Sequence, residues 1–139
     1  MNSEYDLERF VQAQEPVYAT VLDELRAGRK QSHWMWFIFP QIAGLGRSSM
    51  AQRYAIANDD EAADYLAHPV LGPRLRECAT IVLSLKGASA NEIFGDPDDM
   101  KFRSSMTLFA DTAPDEAVFQ ACIDKYFDGE ADPETLARV

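Results

Sequence analysis

The sequence has no uninterrupted apolar run of about 18 residues, the length that would predict a membrane-spanning helix. It is also poor in positive charge, with 13 lysine and arginine residues against 23 aspartate and glutamate residues, and its formal net charge is −10. A general affinity for nucleic acids or for an anionic membrane needs a basic face, so we expect neither partner. The N-terminal residues are acidic and lack the apolar segment of a signal peptide. We therefore expect a cytoplasmic protein.

Cysteine and histidine are scarce, with two of each. Cys78 and Cys122 lie far apart at apolar positions of helical patterns, which favours buried, reduced thiols over a disulfide or a reactive thiol. The histidines are His33 and His68, and two such isolated residues do not indicate a histidine-rich metal site. We expect no metal and no other cofactor.

Strand alternation of convincing length is also absent, and no Asn-Gly hairpin occurs. Apolar stripes with helical spacing follow one another instead. The longest stripe has spacings of four, three, four and three residues and consists of Leu71, Leu75, Cys78, Val82 and Leu85. We predict one all-α domain over residues 1–139, a compact bundle of about seven to nine short helices around a central helix near residues 70–86.

Helix start signals support this prediction. A serine or asparagine followed three residues later by an acidic residue resembles a capping box. Such pairs are Ser3 with Asp6, Asn58 with Glu61 and Ser89 with Glu92. The one segment that resembles a strand is the apolar run at residues 34–39, and periodicity does not distinguish it from a buried helical turn.

One long segment of this acidic chain, from Arg26 to Asn58, contains no aspartate or glutamate. An even distribution would place about five acidic residues there. The same segment carries five cations, Arg26, Arg29, Lys30, Arg47 and Arg53. Burial by itself would exclude acidic residues, but it would also exclude arginines that have no partner. Two explanations of this segment are therefore open, simple burial and a site for an anionic ligand, and we favour the second.

A glycine-containing turn lies inside this segment, where residues 44–49 read GLGRSS. Ser48 or Ser49 is the expected N-cap of a following helix. Glycines allow the backbone to approach a ligand closely, free N–H groups attract an anion, and Arg47 adds a bidentate donor. The spacing matches neither a Walker loop nor a dinucleotide fingerprint. An ordinary helix start is the alternative interpretation.

Aromatic and amide groups complete the predicted site. Trp34, Trp36 and Phe39 form a wall for a planar ring, with a purely structural core as the alternative. The amides of Gln41 and Gln52 suit a nucleoside-like or amide ligand. The full predicted ligand-binding set is Trp34, Trp36, Phe39, Gln41, Gly46, Arg47, Ser48, Ser49, Gln52, Arg53, Tyr54, Arg103 and Ser104.

Three residues are candidates for catalysis. His33 is a general acid or base if a partner lies within hydrogen-bonding reach. Lys101 and Ser105 are four residues apart and share one helix face, which is the spacing of a Ser–Lys pair. The alternative for His33 is a structural role. The alternative for Lys101 is that, together with Arg103, it supplies positive charge to the anion site or pairs with nearby aspartates.

Several blocks of the sequence resemble successive blocks of a known bacterial family. They are YDLERFVQAQ, ELRAGRKQSHWMWFIFPQIAGLGRSSMAQRYAI, YLAHPVLGPRLREC and IFGDPDDMKFRSSMTLFA. The chain resembles domain-of-unknown-function family eighteen-ten, some members of which carry the label calpastatin. This resemblance implies a compact, wholly helical cytoplasmic domain, and it brings no activity or catalytic residue with it.

A weaker likeness is to N-glycosidase-like domains that are proposed to act on ADP-ribose derivatives. It depends on Phe39-Pro40 and on residues 51–54, but the glutamate of those domains is absent from this segment. The sequence thus predicts binding of an anionic small molecule, phosphorylated or nucleotide-like. The alternatives are a hydrolase or N-glycosidase-like enzyme that uses His33 or Ser105, and a protein-interaction module with Trp34 and Trp36 exposed.

Overall fold

The computed structural model describes residues 5–139, and in this range it contains ten helices and no strand. In chain order the helices are α1 (Glu8–Gln14), α2 (Tyr18–Arg26), α3 (Met35–Ile38), α4 (Ser49–Arg53), α5 (Asp59–Ala67), α6 (Leu71–Ser84), α7 (Ala90–Phe94), α8 (Asp98–Thr112), α9 (Ala117–Phe127) and α10 (Pro133–Leu136). The all-α prediction is confirmed, with ten helices in place of about seven to nine. The apolar run at 34–39 forms the single helical turn α3.

Side-chain caps start several of these helices where the sequence indicates them. The Asn58 side chain accepts a hydrogen bond from the backbone N–H of Glu61 at 3.0 Å. Ser89 and Glu92 form a reciprocal capping box. Because each cap satisfies backbone groups that have no partner inside the helix, it fixes the residue at which the helix begins. The predicted pair that includes Ser3 falls outside the described residues.

Helix α6 lies at the centre of the fold, as the apolar stripe predicts. Its buried residues include Leu71, Leu75, Cys78 and Val82, and it packs against α2, α5 and α9. Helix α8 is just as central, because all its residues from 104 to 109 are buried against α5, α7, α9 and α10. Three of these six positions are serine or threonine, so a hydropathy pattern does not show that this second face of α8 is buried. Among the described helices, none has the length and apolarity that a bilayer crossing requires.

The two cysteines are part of this core. Cys78 on α6 and Cys122 on α9 are buried and form no disulfide, as predicted. Burial raises the pKa of each thiol to about 12. At neutral pH both are therefore protonated, and neither is a nucleophile.

A short backbone pairing closes the segment that carries α4. Ile42 and Ile56 form an isolated parallel bridge. The N–H of Ala43 donates to the carbonyl of Ile56, and the N–H of Ile56 donates to the carbonyl of Gln41, both at 2.8 Å. Residues 43–55 thus form a loop with adjoining ends, and we call it the α4 loop.

Candidate functional site

A pocket of about 160 Å³ lies between α3 and the α4 loop. Its lining residues are Trp36, Gln41, Ile42, Ala43, Gly44, Gly46, Ala51, Gln52, Tyr54 and Ala55. Five of these belong to the predicted ligand-binding set, namely Trp36, Gln41, Gly46, Gln52 and Tyr54. No acidic side chain is among them, although the chain carries a net charge of −10. The pocket is thus neutral in a protein that is otherwise strongly anionic.

The turn that contributes Gly44 and Gly46 to the pocket has unpaired backbone donors. The N–H groups of residues 44–48 donate no hydrogen bond to any acceptor within residues 5–139. Gly44 has φ +99°, a conformation that residues with a Cβ rarely adopt. Gly46 packs so closely on α4 that an added Cβ would lie 2.5 Å from the Cβ of Ala51. Both glycines therefore maintain the shape of this turn.

Ser48, one of the two serines predicted as the N-cap, caps helix α4. The backbone N–H of Ala51 donates to Ser48 Oγ at 3.1 Å, so Ser48 is the N-cap of α4. Gln52 Nε2 donates to the carbonyl of Arg47 at 3.0 Å and so ties the turn to the helix. Ser48 and Ser49 are exposed and do not line the pocket.

The two arginines of the α4 loop do not meet at this pocket. Arg47 is exposed, forms no ion pair within residues 5–139, and directly follows the pocket residue Gly46. Arg53 instead lines a neighbouring groove of about 370 Å³ together with Asp6 and Glu8 of the N-terminal region. The expectation that Arg47 and Arg53 hold one anion jointly does not match this geometry.

Trp36 forms the aromatic side of the pocket. Its ring is half-buried, and Lys101 Nζ lies 5.4 Å from the ring centroid. Trp36 Nε1 is buried and has no hydrogen-bond partner in the described part of the chain. The Gln41 side chain likewise makes no hydrogen bond with residues 5–139. Trp36 and Gln41 therefore retain free polar groups close to the cavity.

Trp34 and Phe39 are core residues and do not line the pocket. Trp34 is 1% exposed and Phe39 is 0% exposed. Trp34 Nε1 donates to Glu24 at 3.0 Å, and the same carboxylate accepts the backbone N–H groups of Gln31 and Ser32. Burial alone would raise the pKa of Glu24, but these hydrogen bonds lower it to about 2. An ionised Glu24, just outside the acid-free segment, therefore fixes Trp34 in the core.

Other predicted residues of the site hold α10 in place. Arg103 donates to the carbonyls of Glu130 and Ala131 at 2.8 and 2.9 Å. Ser104 Oγ donates to Asp132 Oδ2 at 2.7 Å. Burial opposes ionisation of Asp132, but hydrogen bonds, including that from Ser104, lower its pKa. Arg103 and Ser104 are thus structural in this arrangement and do not line the pocket.

The catalytic candidates do not form a reactive arrangement. His33 is exposed and makes no hydrogen bond within residues 5–139. Ser105 is fully buried, and its Oγ has no partner there. Lys101 Nζ lies 3.7 Å from Asp98 Oδ1 and forms no hydrogen bond with Ser105. Residues 5–139 also contain no group of three His, Cys, Asp or Glu side chains that is placed to bind a metal.

A matched pair of variants distinguishes the two buried serines. Ser105→Ala is expected to increase the free energy of unfolding by about 1 kcal/mol, because it removes a desolvated hydroxyl that has no partner. Ser104→Ala is expected to decrease it by about 1.5 kcal/mol, because Asp132 loses a donor. Urea denaturation of both variants measures the difference, and a destabilised Ser105→Ala variant would contradict the assignment.

Half of the lining residues are small or apolar and were absent from the predicted set. They are Ile42, Ala43, Gly44, Ala51 and Ala55. Only Gly44 carries a signal in the sequence, because it belongs to the GLGRSS turn. The others line a cavity only because the Ile42–Ile56 bridge folds the α4 loop back onto α3.

Comparison with known proteins agrees with this fold. The sequence profile of a family described as protein of unknown function (DUF1810) matches residues 4–139. The chain belongs to this family. The structure is also similar to the crystal structure of the conserved hypothetical protein Rv1873 from Mycobacterium tuberculosis, with 53% sequence identity and a TM-score of 0.96. That match covers 97% of this chain and 96% of the other. Comparison with curated proteins finds no match. The DUF1810 membership confirms the resemblance seen in the sequence blocks.

Proposed function

We propose that this protein binds a small molecule with a planar ring and an anionic group, and that the pocket beside Trp36 is its site. The observation that carries the proposal is the turn at residues 44–48, of which Gly44 and Gly46 line the pocket. It offers backbone N–H groups that have no acceptor within residues 5–139, and the exposed Arg47 lies in the same turn. Unpaired N–H groups and an unpaired guanidinium together favour an anion.

The rest of the pocket suits the ring. Trp36 supplies an aromatic surface, and base-to-aromatic stacking contributes about 1–3 kcal/mol in other proteins. The Gln41 amide both donates and accepts, so it can pair with a heterocycle that presents donors and acceptors. The absence of a carboxylate from the lining avoids repulsion of the anionic group.

The size of the pocket limits the ligand. Sites for drug-sized molecules have volumes of about 300–1,000 Å³, whereas this pocket has about 160 Å³. One ring fits this volume, with the anionic group at the edge of the pocket and in contact with solvent. A mononucleotide or a smaller ring phosphate therefore matches the dimensions better than a dinucleotide.

The experiment is a thermal-shift screen of nucleoside monophosphates and other ring phosphates, followed by ¹⁵N–¹H correlation spectra with each compound that raises the melting temperature. Binding to the folded state raises this temperature by mass action. We expect the amide signals of Gly44 and Gly46 to shift. The Arg47→Ala variant is expected to bind about 10-fold more weakly, as for a lost hydrogen bond to a charged group.

Arg29→Ala is the matched control. Arg29 is an exposed arginine of the same acid-free segment and does not line the pocket. Its replacement changes the net charge as Arg47→Ala does, but we expect it to leave the affinity unchanged. The proposal would be wrong if no compound raised the melting temperature. It would also be wrong if the shifted amides lay outside residues 41–55 and the surroundings of Trp36.

A further inference from the structure

The C-terminal residues of the chain reach the wall of the pocket. The side chain of Arg138, which follows α10, packs against Gly44. A Cβ added to Gly44 would lie 3.0 Å from Arg138 Nε and 3.4 Å from Arg138 Cδ. Gly44 is a pocket residue, so this guanidinium lies beside the same turn that carries the unpaired N–H groups. No sequence pattern connects Arg138 with residues 44–48, which are about ninety positions away.

Most donor groups of Arg138 are unused. Nη1 donates to the carbonyl of Glu134 at 2.9 Å and lies 3.0 Å from Glu134 Oε1. Nε and Nη2 donate to no acceptor within residues 5–139. The side chains of Arg138 and Glu134 are 35% and 70% exposed, and an exposed pair of this kind is weak. A ligand can therefore compete with Glu134 for this guanidinium.

Acidic residues also lie on the other side of Arg138. Together with Asn58, Asp59 and Asp60, it lines a groove of about 260 Å³. Arg138 forms no ion pair with either aspartate in the structure, and its one carboxylate partner among the described residues is Glu134. Arg138 thus lines the acidic groove and also packs against a residue of the neutral pocket.

From this geometry we infer that Arg138 is a second anion-binding residue of the pocket, and that the ligand's anionic group is a phosphate. The inference rests on the proposed function and specifies its ligand. Arg138 packs against Gly44, and the exposed Arg47 belongs to the same turn, so two arginines contact this turn or form part of it. A phosphate has enough oxygens to accept from two guanidiniums and from backbone N–H groups. One guanidinium fork already pairs with both oxygens of a carboxylate.

Calorimetric titration with inorganic phosphate tests the inference, since phosphate alone engages only the anion end of the site. Arg138→Ala is expected to weaken phosphate binding about 10-fold, and Arg138→Lys is expected to give an intermediate loss because it retains the charge without the fork. Glu134→Gln is expected to strengthen binding about 2-fold, because it removes the competing carboxylate. Acetate in place of phosphate is expected to bind more weakly and to respond less to Arg138→Ala.

Arg26→Ala is the control for net charge. Arg26 is an exposed arginine at the end of α2, a helix that packs against α6, and its replacement is expected to leave phosphate affinity unchanged. Equal affinity of the wild-type protein and Arg138→Ala would overturn the inference, as would unchanged affinity of Glu134→Gln. These outcomes leave the proposed function standing if phosphate still shifts the amides of residues 44–48. If those amides do not respond to any ring phosphate in the wild-type protein, the proposed function fails first.

Discussion

Replacing Arg9 by alanine is expected to decrease the free energy of unfolding by about 4 kcal/mol, as measured by urea denaturation. Arg9 Nη1 lies 3.1 Å from Glu61 Oε2, and the Glu61 side chain is only 2% exposed. Arg9 Nε and Nη2 donate to the carbonyls of Arg53 and Ala55, both at 2.8 Å. The variant leaves a buried carboxylate without its cation and two carbonyls without their donors. It also removes the hydrogen bonds by which α1 holds the α4 loop.

Two further variants test this reason for the loss. Glu61→Gln in the Arg9→Ala background is expected to recover about half of the unfolding free energy that Arg9→Ala loses. Glutamine removes the buried charge, but its side-chain oxygen still accepts from the N–H of Ala57, which lies 2.7 Å from Glu61 Oε1. Arg29→Ala removes an exposed arginine that has no ion pair within residues 5–139 and is expected to cost less than about 0.5 kcal/mol. Similar small losses for Arg9→Ala and Arg29→Ala would contradict the anchoring role.

Gly72→Ala is expected to destabilise the protein by about 3 kcal/mol, although glycine to alanine normally stabilises a helix interior. Gly72 lies in the first turn of α6, against the end of α5. A Cβ there would lie 2.1 Å from the carbonyl oxygen of Leu66 and 2.8 Å from Arg76 Nη1. The arginine can move, but the carbonyl belongs to the backbone of α5. The two helices must separate to admit a methyl group.

Gly87→Ala is the control for Gly72→Ala. A Cβ at Gly87 would meet no atom within 4 Å, but the residue has φ +76°. Its replacement is expected to cost about 1 kcal/mol from backbone strain alone. Thermal unfolding followed by circular dichroism compares the two variants. If Gly87→Ala costs as much as Gly72→Ala, the contact between α5 and α6 is not as close as the structure shows.

The fold was predictable from the sequence wherever one apolar face or one local cap decides the structure. The spacing from Leu71 to Val82 locates α6, and Asn58 and Ser89 locate two helix starts. The second buried face of α8 was not predictable, because Ser105 and its polar neighbours occupy core positions. Ser104 and Thr107 are held there by hydrogen bonds with Asp132, a tertiary contact that the local sequence does not reveal.

The candidate site was predictable only in part, for a related reason. Periodicity does not separate Trp34 from Trp36, because both belong to the unbroken apolar run at residues 34–39. The separation is decided by Glu24, which accepts a hydrogen bond from Trp34 and lies ten positions earlier. Arg103 has backbone carbonyls as partners, and a carbonyl leaves no signature in a sequence. Arg138 was missed because its neighbour Gly44 is near only in three dimensions.

The bridge between Ile42 and Ile56 has a consequence for how this protein can diversify. The chain leaves the core at Ile42 and returns to it at Ile56 alongside and in the same direction. The thirteen residues between them are therefore a cassette whose exposed positions can change at little cost to the rest of the molecule, whereas Tyr54, which packs in the core against Phe10 and Phe37, must stay. Selection can alter the chemistry of this cassette while the scaffold stays constant.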